Sequence, residues 1–128
     1  MTSEHKPKGS DSEKDILEHA HRGLQLFTEY NPKVMGKIQA FMSEAMKAGV
    51  LSKQEKERLA LGMALTGQCH YCIALHVRNC KQVGVTLEEI MEVCSVAIMM
   101  GGGPVLTLMA EVERALNEFY LDAEGNPV

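Results

Sequence analysis

The chain has 128 residues and a net charge of −4, one domain's worth of sequence without the clustered Lys and Arg that nucleic-acid phosphates require. Hydrophobic residues make up 45% of it, enough for a core, yet no apolar run approaches the roughly 18 residues of a membrane span. The expectation is therefore a globular domain with no nucleic-acid or membrane partner. Its polar opening, Met1-Thr2-Ser3-Glu4-His5-Lys6-Pro7-Lys8, lacks the apolar core of a secretory signal, so the expected compartment is the cytoplasm. There, four cysteines more often serve catalysis, metal binding or packing than a disulfide framework.

Residues 1–12 mix Gly, Ser, Pro and charge without periodicity and read as a flexible tail ahead of a single domain over 13–128. From Glu13 to Tyr30, Ile16, Leu17, Leu24 and Phe27 recur among charged residues, predicting an amphipathic helix. Asn31-Pro32 restarts the chain as a second helix to about Lys47, with Met35, Ile38, Phe41, Met42 and Met46 on one side, ended by Gly49. Ser52-Lys53-Gln54-Glu55 has the form of a capping box and opens a third helix. That helix begins charged and becomes apolar all round from Leu59 to Leu65, which predicts burial on most sides. Gly67 ends it, and a fourth helix follows from about Cys69 to Val83, stopped by Gly84. Thr86-Leu87-Glu88-Glu89 is a second capping box, and the helix after it is nearly all apolar through Met99. Gly101-Gly102-Gly103-Pro104 interrupts, and a last helix carries Leu106 to about Tyr120. With no period-two alternation and no hairpin dipeptide, the fold class is all-α, a compact bundle of about six helices. Two helices without a wet face are too many for a small monomer to cover, which favours an oligomer.

The chemistry concentrates in Cys69-His70-Tyr71-Cys72 with His76 four residues on. Two thiols at i and i+3 in the first turn of a helix are close enough to form a small disulfide ring. The free N–H groups at that end also stabilise a thiolate, lowering a cysteine pKa from about 8.5 into the range of roughly 3.5–7.5. His76 can take a proton from a thiol or return one to a leaving group. At ~100° per residue, Cys69, Cys72, Ile73, His76, Cys80 and Val83 share one arc opposite Arg78, Lys81 and Gln82, which predicts a buried stripe. A buried imidazole needs a partner, and Glu57, where the third helix turns from charged to apolar, meets His76 if the two helices pack antiparallel. Otherwise Glu57 is an ordinary first-turn acid favoured by the helix dipole. His70 and Tyr71 are accessory candidates or plain packing residues. Cys94 reads as a small buried hydrophobe and Cys80 as the same or as an accessory thiol, while His5, His19 and His21 read as solvent-exposed.

The set C-x2-C-x3-H-x3-C also contains four soft metal ligands. Geometry opposes a single metal: Cys69 and Cys80 stand about 16 Å apart along one helix, whereas zinc holds each ligand within about 2.3 Å. Neither a metal nor another cofactor is expected.

Glu57-Arg58-Leu59-Ala60-Leu61, Cys69-His70-Tyr71-Cys72-Ile73-Ala74-Leu75-His76, Gly84-Val85-Thr86-Leu87-Glu88-Glu89-Ile90 and Gly101-Gly102-Gly103-Pro104 together resemble the carboxymuconolactone decarboxylase family, more closely its alkyl hydroperoxidase D-like branch. The similarity runs from about Phe27 to Phe119, and the spacing E-x11-C-x2-C-x3-H is its specific part. The resemblance implies an all-α fold assembled as trimers or hexamers. It also implies a thiol-dependent antioxidant oxidoreductase, a peroxidase or disulfide reductase with a peroxide or disulfide as substrate. Cys72 matches the cysteine that attacks peroxide. Cys69 matches the one that resolves it to a Cys69–Cys72 disulfide and exchanges with a thiol reductant or redox protein. His76 and Glu57 match the proton relay. The peroxidase members carry a histidine immediately before the second cysteine, where this chain has Tyr71 and places His70 one position earlier. The decarboxylase branch generally lacks the cysteine pair and is the alternative enzyme. A non-enzymatic redox-sensing or metal-binding module is the alternative of another class.

Overall fold

The structure, a computed structural model, describes residues 12–128. The expected tail, except for Ser12, and His5 within it lie outside the described residues. Among those described, the chain is helical: α1 (Glu13–Tyr30), α2 (Pro32–Met46), α3 (Lys53–Thr66), α4 (His70–Gln82), α5 (Leu87–Gly101), α6 (Gly103–Thr107) and α7 (Met109–Phe119). The β pairing among these residues is one isolated bridge between Leu121 and Pro127.

Local chemistry sets most helix starts. Ser52 with Glu55, and Thr86 with Glu89, form the expected reciprocal capping boxes at α3 and α5. A third box, Ser12 with Asp15, opens α1, so Ser12 belongs to the helix rather than to the tail. The predicted last helix is two. Pro104 sits in the first turn of α6, which closes after five residues when the Leu108 amide bonds back three positions to the Val105 carbonyl at 3.0 Å. α7 then starts at Met109.

α4 occupies the middle, packed against α3, α7 and α1, while α5 lies on the far side of α3. Leu61 and Leu65 of α3, Ile73 and Val77 of α4, Ile90 and Cys94 of α5, Val105 of α6 and Val112 of α7 are almost wholly buried. Each large aliphatic side chain among them contributes about 1.5–3 kcal/mol by leaving water. The Tyr120 hydroxyl closes this core by donating to the Val85 carbonyl at 2.8 Å.

The burial on most sides that the sequence predicts for α3 is not met within one chain, and the equally apolar α5 is no different. Each has an inner face in the core and an outer face of apolar side chains in solvent: Leu59 and Met63 on α3, Met91, Val96, Met99 and Met100 on α5, with Met63 69% exposed. A bundle this small has too few helices to cover both faces of each. The outer faces meet in an apolar groove of about 830 Å³ between α3 and α5. α1 and α2 behave alike, leaving Leu24, Phe27, Ile38 and Phe41 exposed where the sequence predicts inward stripes.

One acid is buried where none was expected. Glu13, at the start of α1, is 0% exposed. Its amide and that of Lys14 donate to the Glu118 carboxylate of α7 at 2.8 and 3.0 Å. Its own carboxylate has no hydrogen-bond donor among the described residues, and the nearest cation is Arg114 Nε at 3.5 Å. Burial raises its pKa; Arg114 opposes this, while Glu111 and Glu118 add to it. As pH rises past the ordinary glutamate range, the unfolded chain loses this proton while the folded chain keeps it, so the group makes stability fall with increasing pH across that window. Glu13→Gln should remove the dependence: its unfolding free energy should gain on the wild type from about pH 4.5 upward. Denaturation at several pH values checks this, and a constant difference between the two proteins contradicts it.

Candidate active site

The turn between α3 and α4 fixes the first cysteine. The Gln68 amide bonds to the Leu65 carbonyl and the Cys69 amide to the Ala64 carbonyl, both at 3.1 Å, which is the Schellman pattern. Its left-handed position is Gln68, with φ 52°, and not Gly67, which remains right-handed. Cys69 thus ends the α3 motif and serves at once as the N-cap of α4, its Sγ accepting from the Cys72 amide at 3.3 Å. The Cα atoms of Cys69 and Cys72 are 5.2 Å apart and their sulfurs are joined as a disulfide. When reduced, both sulfurs lie at the amide-rich, positive end of α4, where a thiolate is favoured.

α3 and α4 run antiparallel from this turn, which carries the start of α3 back to the middle of α4. Glu57 Oε2 stands 2.7 Å from His76 Nδ1. Its other oxygen, Oε1, accepts from Asn79 Nδ2 at 3.3 Å. Glu57 is buried and the His76 side chain is 19% exposed. A carboxylate at Nδ1 selects the tautomer with the proton on that nitrogen and leaves Nε2 as the acceptor. The structure therefore brings Glu57 and His76 together on the helix that begins with Cys69 and Cys72. Asn79 was not anticipated; its i, i+4, i+7 spacing from Cys72 through His76 is the signal that marks it.

The predicted buried stripe of α4 is rotated. Its most buried residues are Ile73, Ala74, Val77 and Cys80, and Cys69, Cys72 and His76 lie half-buried along one edge. Packing against α3, α7 and α1 draws the deepest line between those neighbours and leaves the reactive groups half-buried at the α3 edge.

The remaining candidates separate clearly. Tyr71 is half-buried in the first turn of α4. His70 is largely exposed and is paired through Nδ1 with Oε1 of the buried Glu111 on α7, an acid that nothing in the sequence distinguishes from Glu113 or Glu118. His19 and His21 lie on the exposed surface of α1. Cys94 is buried, with its thiol pushed up to about 11 by burial. Cys80 is fully buried, and burial first and the nearby Glu57 carboxylate second push its thiol up to about 12, which leaves it protonated and unreactive near neutrality. The reduced native protein should therefore take up two equivalents of iodoacetamide near pH 8, and four only after unfolding. Mass spectrometry counts them, and native labelling of Cys80 contradicts the assignment. Among the described residues, no three His, Cys, Asp or Glu side chains converge on a point that would hold a metal ion, and no helix is long and apolar enough to cross a membrane.

The carboxymuconolactone decarboxylase family model matches residues 32–114, a span that includes Glu57, Cys69, His70, Cys72, His76, Asn79 and Glu111. The chain is 30% identical over 91 residues to an uncharacterised protein of Cupriavidus necator, covering 71% of this chain and 80% of that one. It is 40% identical over 55 residues to uncharacterised protein 4 in the cox locus of Paracoccus denitrificans, across 43% of this chain and 50% of that one. Among solved structures it is similar to apo-lpg0406, a carboxymuconolactone decarboxylase family protein from Legionella pneumophila, with a TM-score of 0.81 at 34% identity over 86% of this chain and 98% of the other. The family match over most of the chain and the likeness to a solved member at 34% identity agree, and the chain belongs to the carboxymuconolactone decarboxylase family.

Proposed function

We propose that the protein is a thiol-dependent peroxidase of the alkyl hydroperoxidase D-like branch, cycling Cys69 and Cys72 between dithiol and disulfide. The observation that carries this reading is the joined Cys69–Cys72 pair at the start of the helix whose His76 is held by a buried carboxylate. His76 Nε2 takes up the Cys72 proton, and the thiolate attacks the terminal oxygen of a hydroperoxide as the O–O bond breaks. His76 returns that proton to the departing alkoxide, so an alcohol leaves and Cys72 becomes a sulfenic acid. The Cys69 thiolate then attacks the Cys72 sulfur, hydroxide leaves as water after protonation, and the disulfide forms. An external dithiol restores both thiols by exchange and is itself oxidised to a disulfide.

Assembly belongs to the same proposal. The outer faces of α3 and α5, with Leu59, Met63, Val96 and Met100 along the groove, leave large apolar side chains side by side in solvent. A second copy of the chain is the proposed cover, in a closed trimer or a dimer of trimers.

The test is steady-state consumption of an organic hydroperoxide by the wild-type protein with a dithiol reductant. Turnover of many equivalents supports the enzyme; a single equivalent consumed without recycling would make the pair a redox sensor. The family's decarboxylase activity is the second reading, favoured by the family match itself. Carbon dioxide release from a carboxylated muconolactone, unaffected by alkylation of the cysteines, would replace the peroxidase reading with it.

A further inference from the structure

α4 presents imidazoles to two different neighbours. At ~100° per residue, His70 lies roughly 160° around the helix from Cys72 and roughly 120° from His76. His76 faces α3 and Glu57, whereas His70 faces α7, where Glu111 holds its Nδ1. The two pairs follow one arrangement: a carboxylate with 8% exposure engages Nδ1, and Nε2 is left to accept or deliver a proton. Their access differs. The His76 side chain is 19% exposed and that of His70 62%, so His76 suits a small reactant and His70 a bulky one approaching from solvent.

The groups around His70 add negative charge. Glu111, Glu118 and Arg114 stand on α7 and Glu13 on α1; with Glu13 held protonated by its burial, two carboxylates face one guanidinium near the start of α4. Glu111 Oε2 has no hydrogen-bond donor among the described residues, which concentrates the demand of that buried carboxylate on His70 through its other oxygen. His70 is also the immediate chain neighbour of Cys69, the sulfur that an external thiol must reach.

We propose that His70, positioned by Glu111, carries protons for reduction of the Cys69–Cys72 disulfide by an external dithiol, while Glu57 and His76 serve the encounter with peroxide. This division deepens the dithiol cycle proposed above and rests on it. His70 Nε2 takes the proton of the first reductant thiol. That thiolate attacks Cys69 Sγ, forming a mixed disulfide, and the Cys69–Cys72 bond breaks with its electron pair on Cys72 as thiolate. His70 passes the first proton to solvent and then takes the proton of the second reductant thiol. That second sulfur attacks the first, closes the reductant's disulfide and expels Cys69, which receives this second proton from His70. The reductant loses two electrons, the disulfide gains them, and the protein returns with a Cys69 thiol and a Cys72 thiolate.

The experiment follows reduction of the oxidised full-length protein by dithiothreitol, without peroxide, by acid quench and thiol alkylation. In His70→Ala the rate should fall by about 10-fold near neutral pH, below the usual range of roughly 10²–10⁴-fold for general acid–base effects because the reductant is partly ionised by itself. The gap should narrow as pH rises and the reductant ionises unaided, and added imidazole should restore much of the rate. Glu111→Gln, which keeps a hydrogen bond but removes the charge, should show a smaller loss with the same pH trend. Oxidation of reduced His70→Ala by peroxide should stay within about twofold of wild type. Wild-type reduction rates in His70→Ala would overturn the proposal. So would a slowing that is equal in both half-reactions, or one that is independent of pH and unrestored by imidazole. Because reduction is read without peroxide, a wild-type protein that reduces normally yet consumes no peroxide defeats the peroxidase reading alone.

Discussion

Replacing Cys72 by Ser should lower hydroperoxide turnover by at least about 10³-fold, since a hydroxyl does not ionise near neutrality and no neighbouring thiol can substitute. Cys80, on the same helix, is fully buried and kept protonated by its surroundings, with its thiol near 12. Cys69 is the N-cap, its sulfur bonded to the Cys72 amide, and in the reduced state it sits farther from His76 along the helix than Cys72 does. The companion Cys69→Ser should fail differently. It should consume one equivalent of peroxide, hold Cys72 as a sulfenic acid that a dimedone-type reagent captures, and not recycle to a disulfide. Mass spectrometry of the two variants after one peroxide addition separates them. If Cys72→Ser keeps turnover within about tenfold of wild type, or if the trapped sulfenic acid is found on Cys69, the assignment of the two sulfurs is wrong.

The second large effect is expected at Glu57, where exchange of one oxygen for an NH2 group should act through a tautomer. Glu57 Oε1 accepts from Asn79 and Oε2 faces His76 Nδ1. In Glu57→Gln the amide oxygen must stay toward the Asn79 donor, so its NH2 group turns to His76. A donor facing Nδ1 forces the imidazole proton onto Nε2 and removes the acceptor that the chemistry needs. The expected loss in the peroxide half-reaction is about 10²–10⁴-fold, the range seen when an orienting carboxylate becomes an amide. A double variant, Glu57→Gln with Asn79→Leu, frees the amide to rotate and should recover part of the rate while lacking the charge. Circular dichroism guards against loss of fold. Glu57→Gln reacting within about threefold of wild type, with an unchanged pH profile, would mean that the carboxylate only anchors α3 to α4.

These two predictions depend on different amounts of tertiary information. Cys69, Cys72 and His76 are legible because their spacing alone brings them along one side of a helix start. Glu57 was legible as a candidate, since an acid at the point where α3 turns apolar needs an explanation, but two readings stood open. Only the antiparallel packing of α4 on α3 puts its carboxylate 2.7 Å from the imidazole. Asn79 was passed over because an amide near the end of a helix is ordinary until a carboxylate faces it. Glu111 and Glu13 are invisible in the same way: the sequence offers Glu111, Glu113 and Glu118 on one helix and cannot say which of them α4 and α1 cover.

By itself the sequence determined the local order of this protein. Capping boxes at Ser52 and Thr86, Pro32 in a first turn and the glycines after α3, α4 and α5 delimit helices because each satisfies or ends a hydrogen-bond ladder within a few residues. The cysteine pair and its histidine belong to that same short range. Periodicity did not determine which faces are covered. It marks α1, α2, α3 and α5 as apolar on sides that the chain leaves in solvent, because a pattern records that a face wants a partner and not whether one chain can provide it. The tertiary structure alone decided that α4 is clasped between α3 and α7. That arrangement places one buried carboxylate on each side of the cysteine helix and gives its two histidines different partners. The reason is physical: burial of a charge is a property of everything packed around it, and no window of neighbouring residues contains that information.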